Sequence, residues 1–169
     1  MIYLLMVQKI LIFKFLIIIF SFILFNVAAQ SQKIIEGKAK VIDGDTIHIE
    51  NNKIRLHGID APEIKQTCKV DNIKWSCGIE SGKALKNFII EKKVKCEIVD
   101  KDRYNRLVGI CYVENKDINQ YLVKNGWAIA YRYYSIDYVR HEEFAKKNKL
   151  GIWKGSFEEP YLFRKKQKN

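Results

Sequence analysis

The sequence predicts a mainly β domain with helices, an α+β arrangement built as a five-stranded Greek-key barrel with three helices packed on it. Three observations carry that expectation. Short β-type segments recur between turn signals, first three of them, then two more after a helix. Three other stretches repeat apolar residues at helical spacing. The chain, 169 residues long and 48% hydrophobic, can bury one core and is too short for two full-sized domains.

The elements follow in order. Ala39-Lys40-Val41-Ile42 and Thr46-Ile47-His48-Ile49 are β-like and are separated by the turn Asp43-Gly44-Asp45. Asn51-Asn52 marks a second turn, and Lys53 to Ile59 then alternates polar and apolar residues as a half-buried strand does. Residues 38–59 therefore read as a three-stranded meander. A loop opened by Pro62 holds Cys68 and Cys77, and Ser76 is placed to cap a helix from Gly78 to about Glu91, with Ile79, Ala84, Leu85, Phe88 and Ile89 on its apolar face. Val94–Val99 and Leu107–Val113 are two strands joined by the polar connector 100–106. A short helix over 117–125 is stopped by Gly126. Residues 131–134 are an aromatic loop. A third helix, 137–150, turns Val139, Phe144 and Ala145 inward and ends at Gly151. The OB barrel is the commonest five-stranded example of such an order.

The two ends are set apart. Lys9 and Lys14 are the only charges in residues 1–29, Phe15 to Phe25 is apolar except for Ser21, and Asn26-Val27-Ala28-Ala29 supplies small side chains. This is the pattern of a secretory signal peptide cleaved after about Ala29, with a retained membrane anchor as the alternative. Residues 30–36 are read as a short extension, 37–155 as the domain, and 156–169 as a basic, mobile tail. With 30 Lys plus Arg against 19 Asp plus Glu, the chain carries +11. Loss of Lys9 and Lys14 leaves +9, so the basic character belongs to the domain and favours an anionic partner. Cys68, Cys77, Cys96 and Cys111 all lie beyond residue 29, and an even number in an exported chain suggests two disulfides, with three possible pairings. Cys96 with Cys111 centres a hairpin inside the connector 100–106, and opposed strand residues have close Cα atoms. No Cys-x-x-Cys pair supports a metal site.

The residues that carry chemistry are carboxylates and guanidinium groups. Asp43 and Asp45 flank Gly44, and Asp60-Ala61-Pro62-Glu63 closes the third strand. Carboxylate oxygens suit a hard cation such as Ca²⁺, and a meander can bring Asp45 and Asp60 to one ion. Asp-Gly-Asp alone is also common turn chemistry. Arg55, on a strand between Ile54 and Leu56, offers a planar fork to a phosphate, although an exposed strand cation is its plainer role. Asp102-Arg103-Tyr104-Asn105-Arg106 is either a solvated hairpin tip or a second guanidinium with a ring for a base. His48, His57 and His141 lack metal spacing, and Trp75, Trp127 and Trp153 read as packing residues.

Three blocks in register, Asp43-Gly44-Asp45-Thr46, Arg55 to Glu63, and Asp102 to Arg106, resemble the thermonuclease family, the staphylococcal nuclease-like proteins. The likeness runs from about Ala39 to Trp153 and takes in Gly126-Trp127-Ala128 and Gly151-Ile152-Trp153. It implies an OB-fold barrel that hydrolyses DNA and RNA with Ca²⁺ and leaves 3′-phosphate ends. It implies Asp45, Asp60 and the Ala61 backbone carbonyl as metal ligands, Asp43 behind them, and Glu63 as the base that takes a proton from water. Arg55 and Arg106 are implied to hold the phosphate, and Arg103, Tyr104, Tyr131 and Tyr133 to line the nucleotide pocket. The likeness of the 64–76 loop to cysteine-containing exported members favours Cys68 with Cys77. Ala61 stands where threonine is frequent in the family, and Asn105 where glycine is usual.

The expectation is thus an exported, monomeric calcium-dependent nuclease with nucleic acid as substrate. A non-catalytic nucleic-acid-binding barrel and a membrane-tethered adaptor are the competing readings. The presence of all five of Asp45, Asp60, Glu63, Arg55 and Arg106 favours the enzyme, because a binding module needs no such set.

Overall fold

A computed structural model describes residues 32–167, together with Met6 and residues 12–15. The proposed signal segment lies almost wholly outside the described residues, and among these no helix is long and apolar enough to cross a membrane.

The domain is a closed barrel of five strands: β1 (Ile34–Val41), β2 (Thr46–Ile49), β3 (Asn52–Leu56), β7 (Lys93–Lys101) and β8 (Leu107–Val113). The sheet order is β3-β2-β1-β7-β8, and β3 closes the barrel by pairing parallel with β8, Arg55 opposite Val108. The short strand β9 (Lys116–Asp117) extends the far edge of β8. Two small ribbons stand apart from the barrel: β4 (Ile59–Asp60) with β10 (Ile129–Ala130), and β5 (Cys68–Val70) with β6 (Ile73–Trp75). Helices α1 (Cys77–Ile89), α2 (Ile118–Lys124), α3 (Val139–Lys147) and α4 (Pro160–Lys166) and a 3₁₀ turn (Gly151–Lys154) complete the chain.

The barrel interior is filled by Ile47, Ile49, Ile54, Leu56, Val94 and Val113, and Leu85, Ile89, Ile118 and Leu122 cap it from α1 and α2. Alternation along the strands selects these residues, so a shift of one residue in register would turn them outward. Asn119, wholly buried, holds the seam: its Nδ2 donates to the carbonyls of His57 (2.9 Å) and Gly109 (3.3 Å), and its Oδ1 accepts from the Cys111 amide (3.2 Å). Such a polar group is stable inside only because every bond is made. Gly126 and Gly151 both have positive φ, and a Cβ on either would run into the backbone of the other's segment.

Several expectations need correction. β1 begins at Ile34, so residues 34–36 are not an extension but the first three residues of a strand, paired to Glu97, Cys96 and Lys95. The 64–76 segment is not a simple loop: β5 and β6 form a hairpin whose Asp71 and Asn72 both have positive φ, as a type I′ turn requires. Ser76 occupies the N-cap of α1 but makes no capping hydrogen bond, and Ile79 is exposed. In α3 the buried side chains are Glu142 and Ala145, while Phe144 faces solvent; Glu142 is held by Arg132 and Lys146. Residues 160–166 are helical, with Pro160 at the first turn, where a basic tail was expected.

Both disulfides join sequence neighbours, Cys68–Cys77 and Cys96–Cys111. The second links directly opposed residues of β7 and β8 in the core. The first ties the β5–β6 hairpin to the start of α1. The double variant Cys68→Ser/Cys77→Ser is expected to lose about 2–4 kcal/mol in urea denaturation. An unchanged midpoint, or four reactive thiols in the native oxidised protein, would show that the bridge contributes nothing.

Candidate active site

Strand geometry brings the site together. Thr46 of β2 pairs with Arg55 of β3, and the Asp45 carbonyl accepts from the Leu56 amide (2.8 Å), so the 43–45 turn lies beside the end of β3. The chain then turns at Gly58 into β4, which presents Asp60. Arg55 reaches both acids: Nη1 donates to Asp45 Oδ1 (3.2 Å) and Nη2 to Asp60 Oδ1 (2.9 Å). Asp45 and Asp60, 5% and 0% exposed, are two buried carboxylates on one guanidinium. Burial opposes the charge on Arg55, but the two carboxylates outweigh it and raise its pKa.

Each acid has further partners. Asp45 Oδ1 accepts from the Thr46 hydroxyl (3.0 Å) and Oδ2 from the Ala61 amide (3.2 Å). Ala61 is therefore beside Asp45, joined to it through its amide. Asp43 Oδ1 accepts from the Asp45 amide (3.0 Å). Burial and the neighbouring Asp45 charge push the Asp43 pKa up to about 6. Gly44 is required here, since a Cβ would collide with the Ser81 side chain of α1.

Glu63 lies at the mouth of this cluster, its side chain about one third exposed. Its amide donates to Gln66 Oε1 (3.2 Å) and its carbonyl accepts from the Gln66 amide (2.7 Å). Gly78 lets α1 pass directly against that carbonyl, where a Cβ would collide with it.

Sequence reasoning missed one residue at the centre. Arg164 of α4 forks Asp60, Nη1 to Oδ1 (2.8 Å) and Nη2 to Oδ2 (3.0 Å), and Nη1 also pairs with Glu63 Oε1 (2.8 Å). Gln66, buried at 1%, was missed as well; its Nε2 donates to the Glu158 carbonyl (2.6 Å). The signals available were Glu158-Glu159-Pro160 as a helix start, and an arginine among lysines.

The hairpin-tip residues form a separate group. Arg106 Nε donates to Asp102 Oδ2 (2.7 Å), and the guanidinium groups of Arg103 and Arg106 lie 5.1 and 5.6 Å from the Tyr104 ring centre. Arg106 precedes Leu107, the partner of Ile54, so its backbone rises next to the strand that carries Arg55. Its ion pair is with Asp102, not with Asp45 or Asp60. Tyr131 and Tyr133 line a cleft of about 530 Å³ with Asp60, Trp153, Glu159 and Tyr161. Burial and the nearby Asp60 charge raise the Tyr131 pKa.

Four carboxylates, Asp43, Asp45, Asp60 and Glu63, thus meet two guanidinium groups, Arg55 and Arg164. The excess of negative charge and the all-oxygen donors fit a hard divalent cation. Among the described residues no three such side chains form a ready metal cage, and arginines lie on both Asp60 oxygens.

Residues 53–155 match the family model described as Staphylococcal nuclease homologue. The chain is 35% identical over 141 residues to the Succinoglycan biosynthesis protein ExoI of Rhizobium meliloti, covering 81% of this chain and 73% of that protein. It is 34% identical over 137 residues to an Uncharacterized endonuclease of Haemophilus influenzae (76% and 72%). It is 29% identical over 148 residues to the Micrococcal nuclease of Shigella flexneri (77% and 80%).

In the cation-free protein the Asp43 carboxyl is expected to titrate near pH 6, read by ¹³C NMR of that carboxyl. Because its folded-state pKa is above the ordinary 3.8, its contribution to stability is full below 3.8 and lost as the pH rises through about 6. A midpoint at the ordinary value would mean that the turn is open to water.

Proposed function

The chain belongs to the staphylococcal nuclease homologue family and is a nuclease, and we propose that it is an exported calcium-dependent one. On this reading it hydrolyses DNA and RNA with little sequence preference and leaves 3′-phosphate ends. The observation that carries the proposal is the shared grip of Arg55 on two buried carboxylates with Glu63 alongside. Export is supported by two disulfides, which persist in oxidising compartments.

Asp45, Asp60 and the Ala61 carbonyl are the groups that would hold Ca²⁺, with Asp43 behind them. When bound, the ion supplies positive charge to a phosphodiester oxygen. The remaining work falls to the chain itself. Arg55 neutralises and orients the phosphate with a fixed fork, an interaction that strengthens as charge builds on its oxygens. Arg106 is assigned the same task from the neighbouring strand, which requires it to exchange Asp102 for the phosphate. Glu63, held at its backbone by Gln66, takes the proton from the attacking water. Tyr131 and Tyr133 offer ring faces on which any base can stack, and Arg103 and Tyr104 extend that surface. The domain, +9 once Lys9 and Lys14 are removed, draws the polyanion in, so binding weakens with salt.

Single-stranded DNA should be degraded in Ca²⁺ and left intact in chelator; equal rates in both would end the calcium reading. Glu63→Gln is expected to lower turnover by about 10²–10⁴-fold while oligonucleotide binding persists. Undiminished turnover would remove Glu63 as the base.

A further inference from the structure

The C-terminal helix reaches the groups to which cation binding and proton transfer have just been assigned. Arg164 occupies both oxygens of Asp60 and one oxygen of Glu63. With Arg55 also on Oδ1, Asp60 accepts two charged hydrogen bonds and makes a third close ion-pair contact. A divalent ion on Asp60 would need the same lone pairs and would place two positive charges against a guanidinium. The two occupants therefore compete for Asp60.

The rest of α4 is lightly held. Only Pro160 is buried, and Tyr161 and Leu162 are exposed. Seven residues make too short a helix to persist by itself. The segment before it is firmly attached: Lys69 and Ser156 exchange backbone hydrogen bonds (2.8 and 2.9 Å), and the Glu158 carbonyl accepts from Gln66. The chain is thus pinned up to Glu158 on the disulfide-bonded hairpin and attached beyond it mainly through Arg164, with Lys166 returning to Glu158. Glu159 and Tyr161 also line the cleft shared by Asp60, Tyr131 and Tyr133.

We propose that α4 is a built-in strap: Arg164 occupies the Asp60–Glu63 site in the cation-free enzyme, and Ca²⁺ must displace the strap before substrate enters. The inference rests on the calcium reading above. A strap that is docked most of the time lowers the apparent cation affinity by the fraction of molecules in which it is open. Apparent affinity therefore reports on it without any measurement of turnover.

The test is calorimetric titration of Ca²⁺ into the oxidised protein, into Arg164→Gln, and into a chain ending at Glu158. Both altered proteins are expected to bind about tenfold more tightly than the parent. Lys165→Gln removes the same charge from the exposed neighbouring position and should bind as the parent does; a gain equal to that of Arg164→Gln would reduce the effect to bulk electrostatics and overturn the strap. Hydrogen exchange of residues 159–167 should quicken when Ca²⁺ is added to the parent. Unchanged or slower exchange, or weaker Ca²⁺ binding by Arg164→Gln, would make Arg164 part of the loaded site and refute the proposal. If Ca²⁺ binds the parent but binds the truncated chain no more tightly, the strap alone fails. If no form binds Ca²⁺, the calcium reading fails and the strap falls with it.

Discussion

Arg55 is the constraint on which the site depends. It spans two carboxylates that come from different places, one from the turn before β2 and one from β4 outside the barrel. Neither acid could stay buried and ionised alone, since removing one partner of a buried pair typically costs about 3–5 kcal/mol. The guanidinium therefore fixes where the short 59–60 strand lies against the barrel. Asp45 reinforces the same join by accepting from the Ala61 amide. On the proposed reading a structural ion pair and a charge-stabilising arginine are one group. Pairing with both acids also fixes the fork before any phosphate arrives, which is the preorganisation that electrostatic catalysis needs.

The disulfide-bonded hairpin between Glu63 and α1 performs two tasks through Gln66. Its amide and side-chain carbonyl hold Glu63 at the backbone, and its Nε2 holds the Glu158 carbonyl. Trp75, Trp153 and Phe157 pack around Cys68, Cys77 and Ile152 as a second small core. This segment thus couples the position of Glu63 to the anchor of the C-terminal arm. A covalent staple is a physical solution for a segment this far from the barrel core, where few apolar residues are available to hold it.

Much of this was legible in the sequence because it is encoded by short-range pattern. Alternation in Lys53 to Ile59, the Asp43-Gly44-Asp45 turn and the Leu107–Val113 run follow local rules, and β2, β3 and β8 match them, except that β3 ends at Leu56 and the chain turns at Gly58 so that Ile59 joins β4. The convergence of Asp45, Arg55 and Asp60 follows from meander geometry together with the family likeness. What escaped was set by contacts distant in sequence. Ile34 and Ile35 read as an extension because their partners, Glu97 and Cys96, lie some sixty residues on. Glu142 is buried under Arg132 and Lys146, a pairing that the helical spacing of apolar residues does not reveal. Arg164 lies 101 residues from Glu63 and 104 from Asp60, and no periodicity connects them. The hairpin tip is a different case: Arg106 and Asp102 are four apart and pair locally, a partner that the likeness to the family does not suggest.

The sign of the charge reverses between the whole chain and its site. The chain is strongly basic, while the pocket holds more carboxylates than guanidinium groups. The two fields act over different distances. The surplus of lysine and arginine attracts a polyanion from beyond the first Debye length, where individual acids are not resolved. At contact distance, bare carboxylates would repel the phosphate they are meant to process. Something positive must therefore stand among them at every stage. Arg55 and Arg164 meet that requirement here, and on the proposed reading a bound cation would take over the part of Arg164. Because the acids are buried, leaving their charge unopposed is costly in either state. If the strap proposal holds, the same carboxylates accept an arginine or a metal in turn, and exchange between the two would leave the pocket compensated throughout.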